Sequence, residues 1–383
     1  MNIIILGAGK IGRAIAYDLS IFSKFKKITL ADKLNENLDS AKNLLKNKKI
    51  SYLFLDVNNK KKLKDLFLKN DIVISAIPYH YNFELTKIAV ESNTHFIDLG
   101  GNNNIVEKQL SLDSKAETKK LIIIPDCGLA PGLVSVITRD IVDFLDQVEY
   151  VKIRVGGLPL KPVPPFNYQL VFSVNGLINE YLEDALILDN KKIILKNSMT
   201  ELEEINFPYP FSKMEAFLTS GGCSTLPYTF RYIIKYLDYK TIRYPGHCKM
   251  IKPILDIGLG SENEIKIENK KIIPRKLLIK LLKEKIPNKG QDVVLLKVFA
   301  EGKKNNKKTK VEYQMIDYYD IENNITAMMR TTAYPVSVIA QMIEKNQIKK
   351  FGVKTSEKII PPELFFKELE IRNIIINRKI DYI

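Results

Sequence analysis

The sequence predicts an α/β protein: a doubly wound parallel sheet first, then a second α+β domain, then a C-terminal segment that returns to the first half. Three observations carry this. Short β-rich runs alternate with helical patterns through the first third of the chain. The opening run Ile3-Ile4-Ile5-Leu6 leads straight into Gly7-Ala8-Gly9-Lys10-Ile11-Gly12. After Pro125 the pattern shifts to a turn-rich connector and longer β-like runs.

In the first third, strands are expected at residues 3–6, 27–31, 51–55, 72–75, 95–98 and 121–125. Helical patterns lie between them, over residues 34–47, 60–68, 81–92 and 113–118. The first strand runs into G-x-G-x-x-G, a helix-like run follows, and the second strand ends in Asp32. That acid stands about 20 residues beyond the glycines, which completes the dinucleotide-binding (Rossmann) fingerprint in its required context. Gly7 permits the tight turn, Gly9 lets backbone approach a pyrophosphate, and Gly12 lets helix pack on strand. Ala8, Lys10 and Ile11 complete the loop, and the helix N-terminus offers unpaired N–H groups to the phosphates. Asp32 would accept hydrogen bonds from the adenosine ribose and repel a 2′-phosphate, which favours NAD. Lys33 beside it keeps NADP open. Ligands of such sheets bind beyond the carboxyl ends of the strands. Asp56 and Val57, Ala76 and Ile77, and Asp98 and Leu99 fall there.

The connector is Asp126-Cys127-Gly128-Leu129-Ala130-Pro131-Gly132, with a helix expected over 133–144. Beyond it, β-like runs at 150–155, 169–174, 185–188, 192–195, 215–219, 240–244 and 293–300 read as a mixed sheet. A helix over 333–345, apolar on one face, is expected to dock on the nucleotide domain. The expected domains are therefore 1–130, 131–330 and a C-terminal segment, 331–383.

Composition narrows the function classes. A chain of 383 residues suits two domains rather than one. The net charge of +15 is spread along the chain, with no arginine cluster interleaved with aromatics, so nucleic-acid binding is not expected. The lysine-rich run 303–310 reads as a solvated hairpin loop. Three cysteines, Cys127, Cys223 and Cys248, show neither metal-ligand spacing nor a disulfide framework, which fits a reducing, cytoplasmic setting without a metal. No apolar run reaches the roughly 18 residues a membrane span needs, and the apolar N-terminus reads as a nucleotide-binding strand rather than a signal peptide.

The connector and second domain are more specific than the glycine loop. The stretches are Val155-Gly156-Gly157-Leu158-Pro159, Pro164-Pro165-Phe166-Asn167-Tyr168 and Asn179-Glu180-Tyr181. Glu215-Ala216-Phe217-Leu218-Thr219-Ser220-Gly221-Gly222, Arg243-Tyr244-Pro245-Gly246-His247 and Met329-Arg330-Thr331-Thr332-Ala333-Tyr334-Pro335 follow. Together with the connector they resemble the saccharopine dehydrogenase family, most closely its lysine 6-dehydrogenase-like branch, over nearly the whole chain. The resemblance implies a second domain that carries the substrate site and the contact of a homodimer. It implies an NAD(P)-dependent oxidoreductase acting on the CH–NH group of an amino acid. On the branch resembled, the ε-amine of L-lysine is oxidised to the aldehyde, which cyclises to piperideine carboxylate. The alternatives are a saccharopine dehydrogenase or related opine or polyamine-conjugate dehydrogenase and, from another class, a non-enzymatic NAD-binding sensor.

Amine oxidation by hydride transfer needs a neutral amine, a group to take its proton, and an oriented C–H. Asp98, at the predicted nicotinamide side, would orient the amine or act as base. Tyr79 would hold the amine, and His80 would activate water. Cys127 lies where related enzymes carry a polar or thiol group. The substrate carboxylate wants a guanidinium: Arg243, in the branch's Arg-Tyr-Pro-Gly-His motif, is the first choice and Arg154 the second. Glu215 or Asn175 would meet the α-ammonium, and His247 is the second candidate for activating water.

Overall fold

The computed structural model describes residues 1–45 and 47–383. In chain order the first elements are β1 (Asn2–Leu6), α1 (Lys10–Phe22), β2 (Lys27–Asp32), α2 (Asn35–Leu45), β3 (Ile50–Phe54), α3 (Lys60–Phe67), β4 (Ile72–Ser75), α4 (Asn82–Glu91), β5 (His95–Asp98), α5 (Asn103–Leu110), α6 (Asp113–Thr118) and β6 (Ile122–Ile124). Then follow α7 (Leu133–Phe144), β7 (Gln147–Pro159), α8 (Val174–Leu182), β8 (Ala185–Asp189), β9 (Lys192–Lys196), β10 (Glu203–Asn206), β11 (Lys213–Leu218), α9 (Leu226–Phe230), β12 (Ile234–Arg243) and α10 (His247–Ile254). The chain closes with β13 (Ile265–Ile267), β14 (Lys270–Ile272), α11 (Pro274–Lys285), β15 (Asp292–Lys304), β16 (Lys307–Tyr318), α12 (Ala327–Glu344), β17 (Gly352–Val353), α13 (Ser356–Ile359), α14 (Pro362–Glu370) and β18 (Asn377–Tyr382).

These fall into two compact units, residues 1–140 with 329–374 and residues 141–328 with 375–383. The first is built on a seven-stranded parallel sheet, ordered β17-β6-β5-β4-β1-β2-β3. Both faces of its central strands are covered, so β1 reads as an unbroken apolar run. Alternate residues Ile4, Leu6, Val73, Phe96 and Ile123 point to one face, against Leu63, Phe67, Leu85, Ala89 and Ala116 from the helices. Strand order reverses between β1 and β4, which sets a crevice beyond their carboxyl ends.

The second unit carries a nine-stranded mixed sheet, β10-β11-β12-β7-β15-β16-β18, with β8 and β9 attached through β12. Period 2 splits β12 cleanly. Ile242, paired with Ala216, joins an apolar cluster with Leu158, Met214 and Leu295. Thr241 and Arg243, paired with Phe217 and Glu215, face the other way. There Phe217 packs with Tyr168, Tyr181, Ile251, Leu278 and Leu282 beneath α8, α10 and α11.

Several features depart from the sequence reading. The run 169–174, expected as a strand, forms none and leads into α8 at Val174. The lysine-rich run is not a loop: β15 and β16 extend to Lys304 and Lys307 around Asn305-Asn306, whose φ of 49° and 61° suits a two-residue hairpin turn. Helix α12 starts at Ala327, before the expected position, because the distant Asp292 caps it, accepting from Ala327 N at 2.7 Å and Met328 N at 3.0 Å. The C-terminal residues divide: β18 pairs with β16, so the last nine belong to the second unit.

Candidate active site

The glycine loop of the first unit has the form a pyrophosphate requires. Gly7 sits at φ 101°, and a Cβ there would lie 2.6 Å from Ala76 O. A Cβ on Gly12 would lie 1.8 Å from Gly7 O, so helix and strand can pack this closely only with glycine. Above Gly9 there is open space: nothing lies within 4 Å of where its Cβ would be. Gly9 caps the 13-residue α1 without a side-chain hydrogen bond, which leaves first-turn N–H groups to a ligand. Lys10 is exposed, Ala8 is buried, and Ile11, Val57, Ala76, Ile77 and Leu99 are half-buried.

Asp32, at the end of β2, accepts hydrogen bonds from Ala8 N at 2.7 Å, Leu34 N at 2.8 Å and Asn37 Nδ2 at 3.2 Å. The glycine loop is thereby tied to the turn after β2. Lys33 is exposed beside it. Asp56 is exposed and accepts from Asn58 N and Nδ2, both at 2.9 Å.

Beyond β4 and β5 the structure brings Tyr79, Asp98 and Cys127 into one neighbourhood. Tyr79 starts a short 3-10 turn, and its ring lies against Gly101, where an added Cβ would approach to 3.0 Å. Asp98 is wholly buried. Its carboxylate accepts from Gly100 N at 2.7 Å, Gln109 Nε2 at 2.6 Å and Asp126 N at 3.4 Å, which joins the two loops. Burial pushes its pKa up to about 6 against the pull of those three donors. Cys127 is wholly buried too, with its N–H on Asp98 O at 2.9 Å and its Sγ 3.7 Å from Ser356 Oγ. Burial and then Asp98 hold the thiol well above its ordinary range, so it stays neutral. His80 is exposed, with its ring 4.2 Å from that of Tyr81.

In the second unit the centre is Arg243, at the end of β12 and 2 % exposed. Its Nε donates to Tyr181 Oη at 2.8 Å; Nη1 donates to Thr241 Oγ1 at 3.1 Å and Ile242 O at 2.9 Å. The guanidinium lies over the rings of Tyr168 and Tyr181, 4.8 and 5.7 Å from their centroids. Burial opposes its charge, but Tyr181, Tyr168 and Glu180 outweigh that, and its pKa lies above the ordinary value. Tyr181 Oη also meets His247 Nε2 at 3.0 Å, and His247 Nδ1 meets Phe166 O at 2.9 Å. Phe166 O can only accept, so Nδ1 carries the proton and Nε2 accepts from Tyr181. Burial and the Arg243 charge lower the His247 pKa to about 3. His247 is thus a neutral, buried orienting group.

The other sequence candidates are engaged elsewhere. Arg154 lies on the opposite sheet face, paired with Glu203 and, at 2.7 Å, with Asp238. Glu215 caps α10, accepting from Gly246 N at 2.7 Å and Cys248 N at 2.6 Å. Asn175 is exposed on α8. Sequence reading gave no roles to Tyr168, Glu180, Tyr181 or Gln109. The first three lie inside the motif stretches, which was their only signal.

A glycine loop with free first-turn N–H groups on a doubly wound sheet, in a chain whose second unit carries a mixed sheet, defines a dinucleotide-binding α/β protein of two units. The chain belongs to the saccharopine dehydrogenase family: its N-terminal model, described as the saccharopine dehydrogenase NADP binding domain, matches residues 3–124, and its C-terminal domain model matches residues 128–375. The chain is 26% identical over 273 residues to the NADP(+), L-glutamate-forming saccharopine dehydrogenase of Pyricularia oryzae, which covers 69% of this chain and 59% of that protein. It is 23% identical over 276 residues to the mitochondrial alpha-aminoadipic semialdehyde synthase of Mus musculus, covering 67% of this chain and 28% of that protein. The matches therefore span less than two thirds of these relatives. Among solved structures, apo saccharopine dehydrogenase (L-Glu forming) of Saccharomyces cerevisiae superposes with a TM-score of 0.82 at 18% identity, over 99% of both chains. The homospermidine synthase of Legionella pneumophila, in complex with NAD, gives 0.68 at 14%, over 99% of this chain and 91% of that one. Both likenesses show the fold. Among the described residues no helix is long and apolar enough to cross a membrane.

Proposed function

We propose that this chain is an NAD(P)-dependent oxidoreductase that oxidises the ε-amine of L-lysine to the aldehyde, which cyclises to piperideine carboxylate, with NAD preferred. The bound nicotinamide supplies the hydride acceptor. The glycine loop and the N-terminus of α1 would take the pyrophosphate, and Asp32 the adenosine ribose. A 2′-phosphate would meet the Asp32 carboxylate, with exposed Lys33 as the adjacent cation. Tyr79 would orient the amine through its hydroxyl. Asp98 acts as a positioning residue, because its carboxylate holds the Gly100–Gly101 backbone on which the Tyr79 ring rests. Arg243 would take the substrate carboxylate.

One observation carries lysine over saccharopine. Residues 141–328 contain four arginines. Arg154 is closed by Glu203 and Asp238, Arg275 bonds Asn175, Asn179 and Glu262, and Arg231 lies on Tyr232 at the surface. Arg243 alone of the four sits in a buried cluster with donors to spare. One such guanidinium suits a substrate with one carboxylate. Saccharopine, with three, is the second reading. It is favoured by a groove of about 370 Å³ lined by Tyr168, Gln169, Lys161 and Lys289, whose lysines would meet further carboxylates.

The test is NADH formation at 340 nm with NAD and either L-lysine or saccharopine. Turnover of lysine with ammonia release is expected; turnover of saccharopine alone would overturn lysine for the second reading. A homodimer through the open sheet face fits the same reading. Tyr236 and Tyr318 are exposed there, with Phe299 and Ile316 half-buried beside them. Sedimentation of a monomer at micromolar concentration would refute it.

A further inference from the structure

Arg243 has more hydrogen-bonding capacity than the protein uses. A guanidinium carries five N–H donors. Among the described residues Nε and Nη1 make three bonds within the protein, while Nη2 makes none. The nearest carboxylate oxygen, Glu180 Oε2, stands 3.9 Å from Nη2, beyond hydrogen-bond reach. Glu180 is equally unsatisfied: no described donor bonds its carboxylate. Its main chain is nonetheless fixed, because Glu180 O accepts from Ser220 N at 3.0 Å and neighbouring Asn179 is bonded by Arg275.

Two opposite charges left this far apart between aromatic rings are unusual, because a partly desolvated pair gains most by closing. Two other buried arginines do close: Arg154 reaches Asp238 at 2.7 Å, and Arg372 reaches Asp18 at 2.7 Å. The Glu180 side chain is a third exposed, whereas that of Arg243 is 2 % exposed. Burial, with Arg243 opposing it, raises its pKa to about 7, as expected of a carboxylate still lacking a cation close enough to stabilise it.

An α-amino acid carries a carboxylate and an ammonium on one carbon. Laid along the pair in the opposite sense, its carboxylate completes Nη2 and its ammonium completes Glu180. We propose that Glu180 and Arg243 together bind the zwitterionic α-carbon of the substrate, Glu180 reading the ammonium and Arg243 the carboxylate. This rests on the amino-acid reading above and deepens it. The ammonium goes to Glu180, not to Glu215 or Asn175. The site selects α-amino acids against diamines, which lack the carboxylate, and ω-amino acids, which lack the α-ammonium.

The experiment is calorimetric titration of the full chain with NADH bound, using L-lysine, saccharopine, 6-aminohexanoate and cadaverine, on the wild type and on E180Q. Near-UV circular dichroism and the unfolding midpoint establish that the variant is folded. The wild type should bind L-lysine or saccharopine at least tenfold more tightly than 6-aminohexanoate. E180Q should lose that preference, weakening the zwitterions about tenfold or more while 6-aminohexanoate stays within twofold. Equal weakening of all ligands would overturn the proposal, since Glu180 would then act only by holding Arg243. So would a wild type that does not discriminate or binds none of the four. The reaction assignment fails separately: if zwitterions bind with the expected Glu180 dependence but neither L-lysine nor saccharopine reduces NAD, the oxidation reading falls and the binding pair stands.

Discussion

Arg372 and Arg243 are both buried, both face a carboxylate and both stack on an aromatic ring, yet their charge separations differ. Arg372 Nε meets Asp18 at 2.7 Å, and its Nη1 meets Glu368 O at 2.6 Å. Asp18 is further bonded by Ser337 and Gln341 of α12, so helix α1, helix α12 and the C-terminal segment share one closed knot. Arg243 stops 3.9 Å short of Glu180. A closed pair has its charge answered from within, and its work is to hold elements together. On the proposed reading, an open pair keeps donors and acceptors for a ligand. Neither burial nor full satisfaction separates the two, since Arg372 Nη2 is itself buried without a partner among the described residues; the difference is the distance to the carboxylate, and on the proposed reading that distance divides structural charge from binding charge.

The largest expected effect is on the closed pair. Arg372→Ala leaves the Asp18 carboxylate buried without its cation, which costs about 3–5 kcal/mol. The midpoint of denaturant unfolding should fall accordingly, while dinucleotide affinity of the folded fraction stays near wild type. The double change Asp18→Leu with Arg372→Leu should recover much of the loss, because it removes both charges. If the single change cost under 1 kcal/mol, the closed pair would not hold the C-terminal segment.

Asp98 sharpens the comparison from the anionic side. Among the described residues it has three donors and no cation, and its pKa is pushed up to about 6 from the ordinary 3.8. The folded state thus prefers the neutral acid more than the unfolded chain does. The resulting penalty is full above pH about 6 and is relieved as the pH falls through 6 toward 3.8. The two pKa values differ by about 3 kcal/mol in free energy. Asp98→Asn removes that penalty. Its carbonyl can accept from Gly100 and Asp126, and Gln109, whose Oε1 has no partner, can turn over to accept from the new amide. The expected outcome is a higher unfolding midpoint than wild type at pH 8 and a smaller difference at pH 5. A variant less stable than wild type at pH 8 would show that the carboxylate charge is needed by the fold.

The two units were unequally legible in the sequence. The parallel sheet was written in period and punctuation: apolar runs a few residues long, each ended by glycine or an acid, with Gly7, Gly9, Gly12 and Asp32 at fixed offsets. Local rules suffice there because each strand, turn and helix is contiguous. In the second unit Arg243 could be picked out as a lone guanidinium in a motif, but its partners come from two other stretches: Tyr168, and Glu180 with Tyr181. Only the register of β12 on β11 and the packing of α8 bring them together. Glu215, expected with Asn175 as an alternative to meet the α-ammonium, is the cap of a helix more than 30 residues away, an interaction with no local trace. The Asp292 cap on α12 was invisible for the same reason.

Arg243→Lys tests the open pair. A lysine keeps the charge and loses the planar fork, so it cannot hold Tyr181 and Thr241 and also present two donors outward. Loss of charge-assisted bonds of this kind is worth about 1.5–3 kcal/mol. We expect kcat/KM for the amino acid to fall between tenfold and a hundredfold, with the unfolding midpoint displaced less than in Arg372→Ala. The reverse order, with stability hit harder than catalysis, would make Arg243 another closed arginine.

Asp32 gives the smallest effect and the finest division between answered and unanswered charge. Its carboxylate is bonded by Ala8, Leu34 and Asn37, yet it stands half-buried at the edge of the nucleotide crevice. Neutral donors satisfy its hydrogen bonds and leave its negative charge uncompensated, and a 2′-phosphate would have to approach that charge. Asp32→Ser removes the repulsion and leaves Lys33 as the local cation. Affinity for NADP relative to NAD should rise about tenfold, roughly 1.4 kcal/mol, which one opposed charge pair near a protein surface can supply. Titrating both dinucleotides into wild type and variant measures it directly. A wild type that already prefers NADP would mean that Lys33, not Asp32, sets the local field, and the glycine loop would then be reading charge from the opposite residue.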